Sequence, residues 1–272
     1  MINSHVHSKY SVDSKSELQE IFDTAIERGL TGVAITDHVP FWYYKNGFDN
    51  TALLECKNEI QSLKEKYQGR LKILFGMEVS EHHVYPDYEK QALAVGGFDV
   101  VLCSLHDVVD ISAKKVHPHF IENDFTKLSK EELIELVKNY YSMLKNQAKN
   151  SDYDVLSHLT YPFRYICCRE KIDLDYQIVI DDIKEILQIV IDRKKAIELN
   201  TSNCDNDFFM PNEEILKMYK QMGGELITIG SDAHVAQNID KGLIEGKELL
   251  KKCGFAKYYY YENRKPKIAE TL

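Results

Sequence analysis

One pattern repeats along this chain and limits its folds more than any other feature. A short, β-rich apolar run ends in His, Glu, Asp or Asn, and a longer amphipathic stretch follows. The runs are INSHVH (2–7), GVAITDH (32–38), LKILFGME (71–78), FDVVLCSLH (98–106), YDVLSH (153–158), AIELN (196–200) and ELITIGSDAH (225–234). Between them apolar residues return at helical spacing. Leu18, Ile21, Phe22, Ala25 and Ile26 make one stripe over 16–30, with Ser16 as the expected cap and Gly29 as the stop. Further helices are expected over 51–67, 88–95, 130–149, 176–192 and 212–222. Such alternation predicts parallel strands joined by helices.

Two architectures share that prediction. An open doubly wound sheet gathers its ligands at one switch point, whereas a closed barrel builds its site from loops after many strands. Polar residues after nearly every run favour the ring. The expectation is an α/β fold, a distorted (β/α)7 barrel forming a single domain over 1–272, with its site at the C-terminal ends of the strands. Tyr258–Tyr261 is expected to close the fold as an added strand, with a loosely packed tail after about residue 262.

Composition narrows the partners. The 272 residues suffice for one large barrel. With 34 Lys and Arg against 43 Asp and Glu, the formal charge of −9 argues against a broad nucleic-acid face but leaves room for a local positive site, which bound cations would supply. The cysteines, at 56, 103, 167, 168, 204 and 253, form no CxxC pair, so reduced thiols and a cytoplasmic location are expected. Neither a signal segment nor an 18-residue apolar run is present, and no membrane partner is expected. The oligomeric state is not encoded in any pattern of this kind.

His5 and His7 sit one residue apart in the first run, where strand periodicity puts both imidazoles on one side. On that pair alone, a solvent-facing or tag-derived origin is the alternative. Yet six of the ten histidines follow predicted strands: His5, His7, His38, His106, His158 and His234. Asp13, Glu78 and Asp232 are the matching acids. Imidazole nitrogen and carboxylate oxygen without a cysteine shell suit Zn²⁺, Mn²⁺ or Fe²⁺ in a catalytic setting. Glu78 is the natural bridge, because a carboxylate offers two oxygens and a neutral imidazole one lone pair.

HVH at 5–7, TDH ending at His38, Glu78 in FGME, His106 in SLHD, SH at His158 and SDAH with Asp232 and His234 together resemble the polymerase-and-histidinol-phosphatase superfamily of metallophosphoesterases. Length and layout are most similar to its stand-alone histidinol-phosphate phosphatases. The resemblance, which covers residues 1 to about 260, implies a distorted (β/α)7 barrel with three divalent ions. His5, His7, Glu78 and Asp232 would hold one ion, Glu78, His106 and His158 a second, and Asp13, His38 and His234 a third, with Glu78, Asp232 and His234 as catalytic residues. It implies hydrolysis of a small phosphorylated amino alcohol, L-histidinol phosphate, to L-histidinol and phosphate in histidine biosynthesis, by in-line attack of a metal-bridging hydroxide. Asn3 stands where many members have an acid and is left out of the ligand set. Asp13 stands where other branches use histidine. Asp37 is expected to accept a hydrogen bond from a ligand imidazole.

Around that centre, Arg164 is a candidate two-pronged phosphate contact. His83 is a candidate phosphate contact or general acid, with His82 second. The long 107–129 segment, with His117 and His119, is placed to cover the site. The aromatic stretch 40–44 is a candidate pocket wall, and Glu81 or Asp107 a candidate partner for a substrate amine. A phosphodiesterase or nuclease of the same superfamily, an amidohydrolase-like metal hydrolase and a noncatalytic metal-binding domain are the alternatives.

Overall fold

The computed structural model describes residues 1–39, 49–82, 85–110, 115–116, 120–203, 205 and 207–272. In chain order the strands are β1 (Ile2–Val6), β2 (Gly32–Ile35), β3 (His38–Val39), β4 (Lys72–Ser80), β5 (Val100–Ser104), β6 (Val109–Asp110), β7 (Lys115–Val116), β8 (Val155–Leu156), β9 (Ala196–Asn200), β10 (Ile227–Gly230), β11 (Lys257–Glu262) and β12 (Lys265–Thr271). The helices are α1 (Leu18–Glu27), α2 (Thr51–Tyr67), α3 (Pro86–Leu93), α4 (Lys130–Asn150), α5 (Tyr161–Phe163), α6 (Ile180–Asp192), α7 (Glu213–Gln221) and α8 (Leu243–Lys252).

Seven strands run parallel in the order β1-β2-β4-β5-β8-β9-β10, and β3 adds to β4. The ring is drawn together where its ends meet. Asp232 N–H donates to His5 O and His7 N–H to Ala233 O, both at 2.9 Å, beside a parallel bridge between Val6 and Ala233. The result is a nearly closed, distorted (β/α)7 barrel, as expected. The GVAITDH run divides into β2 and β3, and YDVLSH supplies only the two-residue β8.

Strand parity decides what enters the barrel. On β4, Ile73, Phe75, Met77 and Val79 pack outward against the helices. Leu74 faces the interior, so Gly76 and Glu78 follow it on the same side, one above the other. On β9, Ile197 and Leu199 pack outward, whereas Ala196 faces inward and carries Glu198 and Asn200 on its side. An irregularity in β1 between Asn3 and Val6 breaks simple alternation there, which puts both Ile2 and His5 inside. The lower interior is filled by Ile2, Ala34, Leu74, Val100, Leu102, Val155 and Ala196. Full burial of one such aliphatic side chain contributes about 1.5–3 kcal/mol. Apolar below and ionisable above, each inward row ends in the site.

Two expectations change, and one further helix is added. Ser16 does not cap α1, whose N-cap is Glu17; its hydroxyl instead accepts the Ala236 N–H at 3.0 Å, tying α1 to the segment after His234. Helix α8 carries a stripe that sequence reading did not single out. The expected loose tail is an ordered return strand, because β12 pairs antiparallel with β11 and Tyr260 and Tyr261 plug the barrel floor. Arg264 anchors that hairpin: its N–H reaches Asp99 O at 2.9 Å, and its guanidinium binds Asp152 at 2.9 Å and the buried Asp154. Arg264→Ala would leave Asp154 without its ionic partner. We expect it to cost about 1–3 kcal/mol in a denaturant or thermal melt, with metal binding unchanged.

Candidate metal centre and cleft

The inward rows place their last polar side chains around Glu78. This carboxylate is 1% exposed and meets five imidazoles. His158 Nε2 lies 2.9 Å and His106 Nε2 3.5 Å from Oε1. His38 Nδ1 at 2.8 Å, His5 Nε2 at 3.3 Å and His7 Nε2 at 3.5 Å surround Oε2. His5 and His7 turn Nε2 toward each other at 3.0 Å, and Asp232 Oδ1 is 3.1 Å from His7 Nε2. At the mouth, Asp13 Oδ2 lies 3.0 Å from His234 Nε2 and 3.3 Å from His38 Nε2.

All nine histidines and acids chosen as ligands from the sequence therefore converge. Three subsets bring donor atoms close enough to share an ion: His5, His7 and Asp232; His38, Glu78 and His106; and His7, Asp13, His38 and His234. His7 and His38 each belong to two subsets, so the arrangement is more interlocked than three separate sets of ligands.

The tautomers follow from the outer hydrogen bonds. His5 Nδ1 lies 2.7 Å from Glu198 Oε1, so Nδ1–H donates to that carboxylate and Nε2 presents its lone pair inward. Ser11 directs its hydroxyl proton to Asp13 Oδ1 at 3.0 Å, leaving its oxygen to accept from His7 Nδ1 at 3.3 Å. His7 thus also turns an Nε2 lone pair inward. With both rings neutral, two lone pairs would face each other across 3.0 Å, a repulsion that either a proton on His5 Nε2 or a divalent cation between them relieves.

Charge balance carries the same message. Burial opposes ionisation of Glu78 and Asp232, yet the surrounding imidazoles hold both carboxyls well below their ordinary range. Burial would depress His5, but Glu198, Glu78 and Asp232 raise it well above the usual value. Burial and the neighbouring His234 and His38 push His7 well down. His106 falls to about 4, burial outweighing Glu78. In this protein-only arrangement, imidazoles would have to supply the positive charge the acids require. Glu78 Oε2 itself accepts no well-formed hydrogen bond although three ring nitrogens crowd it. The donors fit divalent cations: inward lone pairs and an ionised, unsatisfied oxygen point at common positions.

Two residues of the site sit in strained backbone, His158 at φ 26° and Asp232 at φ 53°. Asn3 is buried and structural, its amide binding Ser231 Oγ at 2.6 Å and Ile239 O at 2.7 Å. Asp37 departs from expectation. It accepts from Ser8 N–H at 2.5 Å and Ser8 Oγ at 2.7 Å, shaping the turn after β1, whereas the imidazole-holding acid is Glu198.

Above the centre lies a cleft of about 510 Å³ lined by Val12, Ile121, Tyr161, Tyr165, Glu122 and Arg164 together with the outer histidines and acids. A unit of α5 continuing into a π-helical turn (Arg164–Arg169) supplies one wall. It points Arg164 across Tyr165 to within 3.9 Å of Asp232. From the same turn Arg169 donates to Ile121 O at 2.6 Å and to Asn123 O, pinning the end of the 107–129 segment beside the cleft. Glu81 is buried under the centre, where it accepts the His106 N–H at 3.1 Å; neither it nor Asp107 is among the described residues lining the cleft. His82 reaches away to Glu89. His83, His117, His119 and the aromatic stretch 40–44 lie outside the described residues. A shallower groove of about 620 Å³ near Lys64 and Lys72, at the opposite end of β4, contains none of the ligands.

Residues 3–202 match the PHP domain, a span that takes in the inward rows from β1 through β9. The chain belongs to the PHP domain family. Among PHP relatives, histidinol-phosphatase of Lactococcus lactis is 26% identical over 261 residues, covering 93% of this chain and 91% of the relative. A probable histidinol-phosphatase of Thermotoga maritima is 30% identical over 259 residues, covering 94% and 93%. The crystal structure of histidinol phosphate phosphatase from Lactococcus lactis, complexed with zinc, L-histidinol and phosphate, superposes with a TM-score of 0.82 at 25% identity and covers 98% of both chains. No helix among the described residues of this PHP protein is long and apolar enough to cross a membrane.

Proposed function

We propose that this PHP protein is a metal-dependent phosphatase acting on a small phosphorylated amino alcohol, L-histidinol phosphate. The observation that carries the reading is the convergence of five imidazoles on the two oxygens of Glu78, directly beneath a cleft that also holds Arg164 and Glu122. Relatives named histidinol-phosphatase and the zinc, histidinol and phosphate complex of the Lactococcus lactis enzyme support it.

His5, His7, Asp232 and Glu78 would hold one divalent ion, Glu78, His106 and His158 a second, and Asp13, His38 and His234 a third, with His7 and His38 near enough to share. Such ions supply water activation near neutral pH and charge neutralisation at phosphoryl oxygens. Arg164, held only weakly by Asp232 at 3.9 Å, is free to place its planar fork on two phosphate oxygens. Glu122, which lines the same cleft, offers a carboxylate to the substrate's ammonium group. Val12, Ile121, Tyr161 and Tyr165 give the leaving alcohol an apolar flank and limit water around it. Phosphate at the ions and the amine at Glu122 orient the ester for in-line displacement.

The test is metal analysis joined to a phosphate-release panel containing L-histidinol phosphate, simpler phosphomonoesters and a short single-stranded DNA. Fastest turnover is expected on histidinol phosphate, and preferential DNA cleavage would instead favour a nuclease. Arg164→Ala is expected to raise KM about 10- to 100-fold, from the loss of about 1.5–3 kcal/mol of charged hydrogen bonding. Unchanged KM and kcat would remove Arg164 from the substrate site.

A further inference from the structure

Glu198 was not among the acids singled out from the sequence, yet it is buried at 1% exposure in the middle of β9 and touches both halves of the centre. Oε1 takes the His5 Nδ1–H at 2.7 Å. Oε2 accepts the His158 backbone N–H at 2.9 Å and the Asn200 side-chain amide at 3.2 Å. His158 sits in strained backbone at φ 26°, and its Nδ1 is buried with no hydrogen-bond partner. Glu198 holds its backbone N–H from one side, while Glu78 meets its Nε2 at 2.9 Å from the other. Room for this carboxylate exists only because β10 ends in glycine: a Cβ on Gly230 would lie 2.5 Å from His5 Cβ and closer still to Glu198 Oε1.

We propose that Glu198 is a positioning residue that sets the tautomer of His5, so that its Nε2 lone pair faces the metals, and registers His158 against the same centre. The inference rests on reading the cluster as a metal centre. Its chemistry makes an unusual prediction for the isosteric amide. In Glu198→Gln, two N–H donors from His158 and Asn200 claim the amide oxygen, because the reverse orientation would set the NH₂ group against both of them. The NH₂ group is then left facing His5 Nδ1. That nitrogen must accept, its proton moves to Nε2, and His5 loses the lone pair that a metal needs. Glutamine is therefore as harmful as alanine, which leaves the ring free to choose either tautomer.

The experiment measures zinc affinity of wild type, Glu198→Gln and Glu198→Ala by chelator competition. Alongside it, ¹⁵N histidine spectra of the zinc-loaded proteins and thermal melts of the metal-free proteins are recorded. We expect Glu198→Gln to bind zinc about 10- to 100-fold more weakly, no better than Glu198→Ala, and to lose the signature of a zinc-bound Nε2 with protonated Nδ1 at His5. Zinc affinity of Glu198→Gln within about twofold of wild type, or restoration by glutamine of what alanine loses, would overturn the positioning role in favour of simple packing. A wild-type protein that binds no zinc would overturn the metal-centre reading and the inference with it, whereas zinc-binding wild type with unaffected variants would sink the inference alone.

Discussion

Glu78→Gln should reduce kcat/KM on histidinol phosphate by at least about a thousandfold, about 4 kcal/mol of transition-state stabilisation, while leaving the barrel folded. The substitution keeps volume and removes charge. Among the described residues, Glu78 is the only one whose two oxygens reach five imidazoles, drawn from four different segments, at 2.8–3.5 Å. An amide in its place gives each neighbouring ring a neutral partner, and the NH₂ group would donate to lone pairs that divalent ions would otherwise need. The protein should therefore melt near the wild-type temperature or above it when metal-free, but hold fewer metal ions per chain. Near-normal kcat/KM with full metal content would contradict the central place given to Glu78.

Gly230→Ala is expected to have the second largest effect, and it acts without touching a ligand's chemistry. The added methyl meets Glu198 Oε1 and His5 Cβ well inside van der Waals contact, and neither neighbour is the loose end of a flexible side chain. His5 is pinned by β1, and Glu198 by its bonds to His158 and Asn200. Overpacking of this kind costs about 1–3 kcal/mol. Because the strain falls on the His5–Glu198 pair, metal affinity should drop with stability. A chemical denaturation curve and a zinc titration check both, and a variant with wild-type values in each would show that β10 can yield.

The barrel, and most of the histidines and acids that converge around Glu78, were legible because each rests on a local rule. Alternation of β-rich runs with helical stripes predicts parallel strands, and polar residues at the ends of those runs mark the rim where such a fold gathers chemistry. That logic picked out His5, His7, His38, Glu78, His106, His158, Asp232 and His234, whereas Asp13, beyond the end of the first run, entered as a matching acid. It passed over Glu198, although the signal was there: in AIELN, Ile197 and Leu199 point outward, so parity sends Glu198 inward between Ala196 and Asn200. Asp37, adjacent to a ligand, drew the outer-shell role instead. Asp37 lies in the break between β2 and β3, where its side chain turns back to Ser8. The tail was misjudged for a similar reason. KPKIAET has no apolar period of its own and is ordered by pairing with β11, not by its own burial.

The order of apolar and polar residues along the chain was by itself enough to determine the alternating architecture and which side chains crown its strands, since both follow from periodicity within single elements. Only the tertiary structure decided which nitrogen each imidazole turns inward, that His7 and His38 lie between subsets, and that Arg164 and Glu122 share one cleft. Those properties depend on contacts between segments far apart in the chain, such as Asn3 with Ser231, 228 residues away. Distances and tautomers of that kind arise when the ring closes, and no local spacing encodes them.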